Sequence, residues 1–474
     1  MKNRIISYTL GLMAIALLAS CSKWLDVQPR TKIKSDVLLQ TEQGYRDALI
    51  GCYTLLKNQS LYGRELTFGF ADAVSLQYDT YNNNVYNNVA RWIYTNESVR
   101  AQIDNIWGRM YNVLANVNNI LDHIDADKAL FTGTNYEIIK GEALAIRAFV
   151  QFDLLRFFAP SDLSKPAVPY VNTLTTKVTA PSSGTEVIGY LLRDIEEATA
   201  LLAVDPIIKG KKLVFSEDEF MNNRHQRLNY YAVKGLAARV HMWNGDKPKA
   251  LESASVVLEA GDRIFPWIKT SNISATNDKD KDFTFSTENL FALNVWDLRT
   301  VSNNWFIAAF PGNQLFRGSF YFDQMYEKTS VGASDYRLLF LTRMSGSNYI
   351  LYKYYQPDNY TASYANMMPL MRRSEMNYIA AECLVGVDNA RAVALLNEVR
   401  SNRGITVPLS SSLTDASITS EILKEYRKEF QGEGQIFHYC KRTKMQSFPT
   451  NSTKLTDAHY VLPKPNNEIE FGGY

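Results

Sequence analysis

PLMRRSEMNYIAAECL, residues 369–384, places Met371, Ser374, Tyr378 and Ala381, with the following Val385, three or four positions apart. That spacing draws one apolar stripe along a helix of 3.6-residue period. A Gly386-Val387-Asp388-Asn389 turn follows, and ARAVALLNEVRSNRG (390–404) repeats the spacing through Ala392, Leu395, Leu396 and Val399. Asp388 or Asn389 is the candidate N-cap and Gly404 the stop, so the two segments form a helical hairpin. A third helix is expected from about Thr419, with Leu423, Tyr426 and Phe430 on one face, charges on the other, and an end at Gly432-Glu433-Gly434.

Outward from this block the same arithmetic recurs. Residues 36–56 carry Ala48, Leu49, Cys52, Tyr53 and Leu56 on one side of a helix. Helices are also expected over 103–124, 136–158 and 186–202, the second closed by Pro160, Pro166 and Pro169. Residues 236–261, LAARVHMWNGDKPKALESASVVLEAG, repeat the plan of 379–404: Leu-Ala-Ala answers Ile-Ala-Ala, and Ala250 with Val257 answers Ala392 with Val399, with one residue of slippage. Two hairpins, each of about 30 residues, suggest tetratricopeptide-like units whose faces are covered by stacking. Two stretches break the pattern. Residues 61–96 interleave Tyr62, Tyr78, Tyr81, Tyr86, Trp92 and Tyr94 with asparagines, which suits a surface loop with rings on display. Residues 265–368 turn rich in Gly, Ser, Asn and aromatics around a strand-like 289–296, too long for a structureless connection and therefore an inserted mixed region.

Taken together, RSEMNYIAAE, LNEVRSNRG and EYRKEFQGEGQIFHYCKR resemble the C-terminal signature of the SusD/RagB family of surface nutrient-binding lipoproteins. Cys21-Ser22-Lys23-Trp24-Leu25-Asp26, the LD-x-x-P lead-in at 25–29, GEALAIRAF (141–149), Ser334-Asp335-Tyr336-Arg337, Lys353-Tyr354 and LPKPNNEI (462–469) extend the resemblance along nearly the whole chain. The third block departs at Ile436 and Tyr439, where the family usually shows a basic residue and an aspartate, so no ion pair is expected there. The resemblance implies a mainly α SusD-like fold: a helical-hairpin scaffold carrying an inserted region of helix, loop and short strand that faces the ligand. It divides the chain into a signal at 1–20 and a single domain at 21–474, with an N-terminal helical half (21–262), the insert (263–368) and the signature region (369–474). It also implies an outer-membrane, lipid-anchored protein facing the exterior. Such a protein delivers an oligosaccharide, or in some relatives a peptide, to a SusC-like TonB-dependent transporter.

The N-terminus supports export on its own chemistry. Lys2 and Arg4 precede an apolar run from Ile5 to Ala19 that is too short for a membrane span, and Leu18-Ala19-Ser20-Cys21 has the form of a lipobox. Cys21 is the expected lipidation site, its acyl chains anchoring the protein at about 0.8 kcal/mol per buried methylene. The other cysteines, Cys52, Cys383 and Cys440, lie in helical patterns outside any CxxC pair and read as small buried hydrophobes, with a disulfide between two of them left open as the alternative. A formal net charge of +2 gives no basis for binding nucleic acid.

No motif carries chemistry. His123, His225, His241, His438 and His459 are dispersed, without HExxH, paired cysteines or a calcium loop, so neither metal nor cofactor is expected. GxSxG, Walker A and Rossmann fingerprints are absent. Among the acids, Glu375 and Glu382 share a helical stripe with Arg372 and read as packed ion pairs, so no catalytic residue is assigned. Sugars present apolar C–H faces and many hydroxyls, which call for exposed rings flanked by hydrogen-bonding side chains. Residues 78–92 and 296–321 offer that mixture, and Tyr81, Asn83, Trp92, Trp296, Trp305, Arg317 and Tyr321 are the candidate ligand-binding residues. Three readings stay open at this stage: a non-enzymatic binding protein, a lipid-anchored glycan hydrolase, and a tetratricopeptide-like scaffold that binds only protein.

Overall fold

The computed structural model describes residues 38–80, 84–210, 218–307, 314–449 and 451–472. Among these residues, ten helices of eight residues or more make the frame: α1 Glu42–Leu56, α2 Glu97–Ile124, α3 Asn135–Phe158, α4 Gly184–Leu201, α5 Tyr230–Trp243, α6 Lys247–Ile264, α7 Arg373–Leu384, α8 Asn389–Asn402, α9 Asp415–Glu429 and α10 Gln435–Arg442. From α1 to α9 each helix packs against the next in sequence, as the hairpin pattern predicts, and α6 joins the two hairpins by lying against both α5 and α7. Caps set the starts: Thr41 accepts from the Gly44 amide, Ser183 and Glu186 form a capping box, and Asn229 accepts from Tyr231 and Ala232. The turns between paired helices fall at Gly245 (φ 77°) and Gly386 (φ 78°), a left-handed conformation that glycine adopts without steric cost.

The middle of the frame is α3, buried around most of its circumference. Its charges are matched. Glu142 accepts from Arg224 at 2.5 Å and from the Tyr53 hydroxyl at 2.7 Å, while Arg147 grips Asp194 at 2.6 and 2.7 Å. Gly141 lets Leu202 approach so closely that a Cβ would sit 2.8 Å from its Cγ.

Five strands complete the fold among the described residues. β1 Asn289–Asn294 pairs antiparallel with β5 Met367–Arg372, Leu293 facing Met368, and a three-stranded sheet joins β2 Arg317–Gly318, β4 Asn348–Leu351 and β3 Thr342–Ser345 in that spatial order. The insert is therefore of mixed structure. Residues 369–372, expected to open a helix, instead form the end of β5 and run directly into α7. Pro369 has no amide hydrogen to lose on the outer side of a two-stranded sheet, which is where a strand tolerates proline.

The third helix of the signature block starts at Asp415, four residues before the expected Thr419, and its charged face is not on the surface. Glu425, Lys428 and Glu429 are buried with Arg337, Arg372, Arg400, Arg403 and Lys353. Glu429 accepts from Arg372, from Arg403 at 2.6 and 3.0 Å and from Arg337 at 3.0 Å. Arg403 reaches on to Glu288, Arg337 to Asp335 and Glu425, and Arg372 with Lys353 to Glu433. Ionised groups at this depth are stable only when each is paired and its remaining hydrogen-bonding positions are filled. Burial works against the Glu425 carboxylate, but Arg337, Lys428 and Arg400 outweigh it and hold its pKa near 2. The same balance places Glu429 well below the usual carboxylate range. Glu375 and Glu382 are ion-paired, but not with the expected Arg372: Glu375 pairs with Arg239 and Glu382 with Arg442, while Arg372 belongs to the lattice around Glu429. Ile436 and Tyr439, the departures from the family pattern, are buried, and Tyr439 packs on Tyr426. Cys52, Cys383 and Cys440 are buried free thiols.

Candidate functional site

Residues 61–80 and 84–96 do not form a loop with rings on display. Tyr62, Tyr78 and Tyr86 are buried, because each hydroxyl finds a carboxylate inside: Asp153 at 2.7 Å, Asp72 at 3.2 Å and Glu65 at 2.9 Å. Asp72 also accepts the amides of Gly432 at 2.6 Å and Gly434 at 3.0 Å, which pins the short helix Phe70–Val74 to the turn before α10. Burial pushes the Asp72 carboxyl up to about 7 against these hydrogen bonds.

This anchoring draws the two aromatic stretches together. Tyr86 packs on Trp305 with ring centroids 5.0 Å apart, and Tyr78 on Phe306 at 6.1 Å. The Asp79 amide donates to the Phe316 carbonyl at 2.8 Å, and its carboxylate takes Arg317 at 3.1 Å and the Gly318 amide at 2.9 Å. Arg317 is buried, also donating to the Leu76 carbonyl at 3.0 Å, so it ties the two stretches together beneath the surface. Tyr321, 45% exposed, lies beside the Arg317 guanidinium, and its neighbour Phe320 is 67% exposed.

A second exposed cluster lies where β1 ends. Trp296 is 81% exposed, which is exceptional for a ring of that size. Next to it, Asp297 accepts from the Gln59 side-chain amide at 3.1 Å, and Gln59 in turn accepts from Arg64 at 3.2 Å. The Arg64 guanidinium stands 5.3 Å from the ring centroid of half-buried Trp305. Burial opposes the Arg64 charge, but Tyr86 and Glu65 more than restore it. Trp305 itself lies in a π turn, Asn303–Ile307, an irregularity common at functional sites. The cluster therefore offers a bare indole beside a chain of preset donors and acceptors. It contains no nucleophile paired with a base.

Of the candidate residues, Trp296, Trp305 and Tyr321 present ring surface, while Arg317 is a buried tie. Trp92 is half-buried at a positive φ of 55°, its Nε1 spent on the Val74 carbonyl at 3.1 Å and its ring stacked on Phe448. Tyr81, Asn83 and Cys21 lie outside the described residues. Gln59 and Arg64 escaped the sequence reading because they follow α1 in a run of turns that carries no period.

Residues 23–240 match the family described as "Starch-binding associating with outer membrane", and residues 297–470 match the SusD family. The chain belongs to the SusD family. Members of this family are carbohydrate-binding proteins and are associated with the outer membrane. SusD-like protein P25 of Formosa agariphila is 23% identical over 248 residues, a match spanning 50% of this chain and 43% of that relative. Solved structures share the fold along nearly their whole length. A SusD superfamily protein from Bacteroides vulgatus, 22% identical, superposes with a TM-score of 0.69 over 91% of this chain and 97% of its own. A SusD homolog from Bacteroides thetaiotaomicron, 15% identical, gives 0.70 over 93% and 97%. A third, a SusD-like carbohydrate binding protein from Bacteroides vulgatus, is 17% identical with a TM-score of 0.68 over 91% and 96%. Among the described residues no helix is long and apolar enough to cross a membrane.

Proposed function

We propose that this SusD-family chain is a cell-surface glycan-binding lipoprotein that captures an oligosaccharide and passes it to a SusC-like TonB-dependent transporter. The observation that carries the reading is Trp296. A ring 81% exposed in the turn after β1, next in sequence to Asp297 and its Gln59 and Arg64 chain, suits the C–H face and hydroxyl rim of a pyranose. Anchoring through Cys21, display on the outer face and partnership with the transporter belong to the same reading, supported by the lipobox and by family membership. On this reading the protein binds without cleaving. Incubating the soluble chain with a panel of oligosaccharides tests both parts: binding with no new reducing ends is expected, and release of products would identify a hydrolase instead. A chain that binds none of the panel and only protein would be a scaffold.

A further inference from the structure

A cavity adjoins this cluster, and its lining has a sign. About 190 Å³ in volume, it is walled by Lys57, Asn222, Asn223, Gln226, Arg227 and Asn294, with the Tyr53 ring among its walls and the exposed Glu219 at its edge. Two of the three stretches that form it, 50–57 and the end of β1, run straight into the Trp296 cluster. Asn294 closes β1 two residues before Trp296, and Lys57 caps α1 two residues before Gln59, whose amide binds Asp297. Two residues of chain span at most about 7 Å, so cavity and cluster are neighbours.

The two cations in the wall are short of partners. Lys57 is half-buried and has no ion pair among the described residues. Arg227 is held between the Phe220 ring at 4.2 Å and the Tyr53 ring at 5.7 Å, and its buried Nη1 has no hydrogen-bond acceptor among the described residues. A Glu142 oxygen stands 3.6 Å from Arg227, but that carboxylate already serves Arg224 and the Tyr53 hydroxyl. Burial first, and then repulsion from Arg227, lowers the Lys57 pKa. Around Glu429, by contrast, each buried guanidinium meets a carboxylate directly. Here the nearest carboxylates are Glu142, already shared with Arg224, and the exposed Glu219, while amide side chains surround the space, a lining that suits a polar anion.

We infer that this cavity is a charge-selective subsite that takes the carboxylate or sulfate group of an acidic oligosaccharide whose neighbouring sugar lies on Trp296. The inference rests on the glycan-binding reading and narrows it to anionic glycans. Calorimetric titration tests it with fragments of polygalacturonate, alginate and glucuronoxylan, each paired with its carboxyl-reduced form, and with sulfated galactan fragments paired with their desulfated forms. The wild-type chain is expected to prefer at least one acidic fragment over its neutral partner, the carboxylate and sulfate arms showing which anion is taken. Lys57→Gln should lower that preference about tenfold, as loss of a charge-assisted hydrogen bond does, and Lys57→Arg should restore it. Arg227→Gln should have the same effect, read beside its melting curve because the Arg227 side chain also packs on two rings. Lys57 sits half-exposed at a helix end, so its variants keep the test independent of folding. Equal or tighter binding of neutral forms, or a preference that Lys57→Gln and Arg227→Gln both leave intact, would overturn the subsite and leave glycan binding standing. Failure of every fragment, acidic and neutral, would overturn the glycan reading and the subsite with it.

Discussion

Glu429 is surrounded by three guanidinium groups, and removing its charge would leave Arg337, Arg372 and Arg403 short of a common partner in a site closed to solvent. Glu429→Gln is therefore expected to cost about 3 to 5 kcal/mol in urea unfolding, the usual penalty for breaking one side of a buried ion pair. Acid acts on the same lattice. The Glu425 pKa is depressed from 4.5 to about 2 in the folded state, so its stabilising contribution is fully present above the unfolded value and is lost as pH falls from there through about 2. Melting temperatures recorded from pH 6 down to 2 should decline most steeply below about 4.5, and Glu425→Gln should flatten that limb. The charges themselves were visible in the sequence, but their fate was not. Glu425, Lys428 and Glu429 have the spacing of a solvated helix face, and their partners Arg337, Arg372 and Arg403 come from other elements, so no local pattern announces the burial. The landmarks Asp335, Arg337 and Lys353, noticed only as resemblances, turn out to be members of this lattice.

Among the elements, the hairpins were the most legible part of the chain, since a 3.6-residue period survives whatever lies opposite. Leu236, Ala250, Val257, Ala392, Leu396 and Val399, taken from that period, are all fully buried. The strand β5 was not legible because six apolar and basic residues leading into a helix fit the helical stripe as well as they fit a strand. Its position matters to the packing. Gly235 on α5 lies so close to β5 that a Cβ there would stand 2.3 Å from the Met371 sulfur and 3.3 Å from Leu290 Cδ1 on β1. Gly235→Ala should destabilise by about 1 to 3 kcal/mol through overpacking, despite the better helix propensity of alanine. Combining it with Met371→Ala should recover part of the loss, and a double-mutant cycle in denaturant measures the coupling.

At the scale of the whole molecule, the candidate site was half readable. Both aromatic stretches were marked by composition, but their convergence depends on Asp79 meeting Phe316 and Arg317, contacts between residues more than two hundred positions apart. Burial then sorted the rings by a criterion sequence does not carry: a tyrosine with an internal carboxylate goes in, and a tryptophan at a strand end without a partner stays out. Placement on the membrane is a separate property, resting on the proposed acylation of Cys21. Cys21→Ala is expected to move the protein from the outer-membrane fraction to the soluble or inner-membrane fraction, as metabolic lipid labelling with fractionation would show, because loss of the acyl chains removes the anchor. The central claim is that Trp296 is a ligand platform, and calorimetric titration of wild type and Trp296→Ala with the tightest-binding oligosaccharide, alongside thermal melts, tests it most directly. The expected result is an affinity loss of about 1 kcal/mol or more with stability unchanged within about 0.5 kcal/mol, since an exposed ring gives contact area to the complex and little to the core. Unaltered affinity in the variant would contradict the claim.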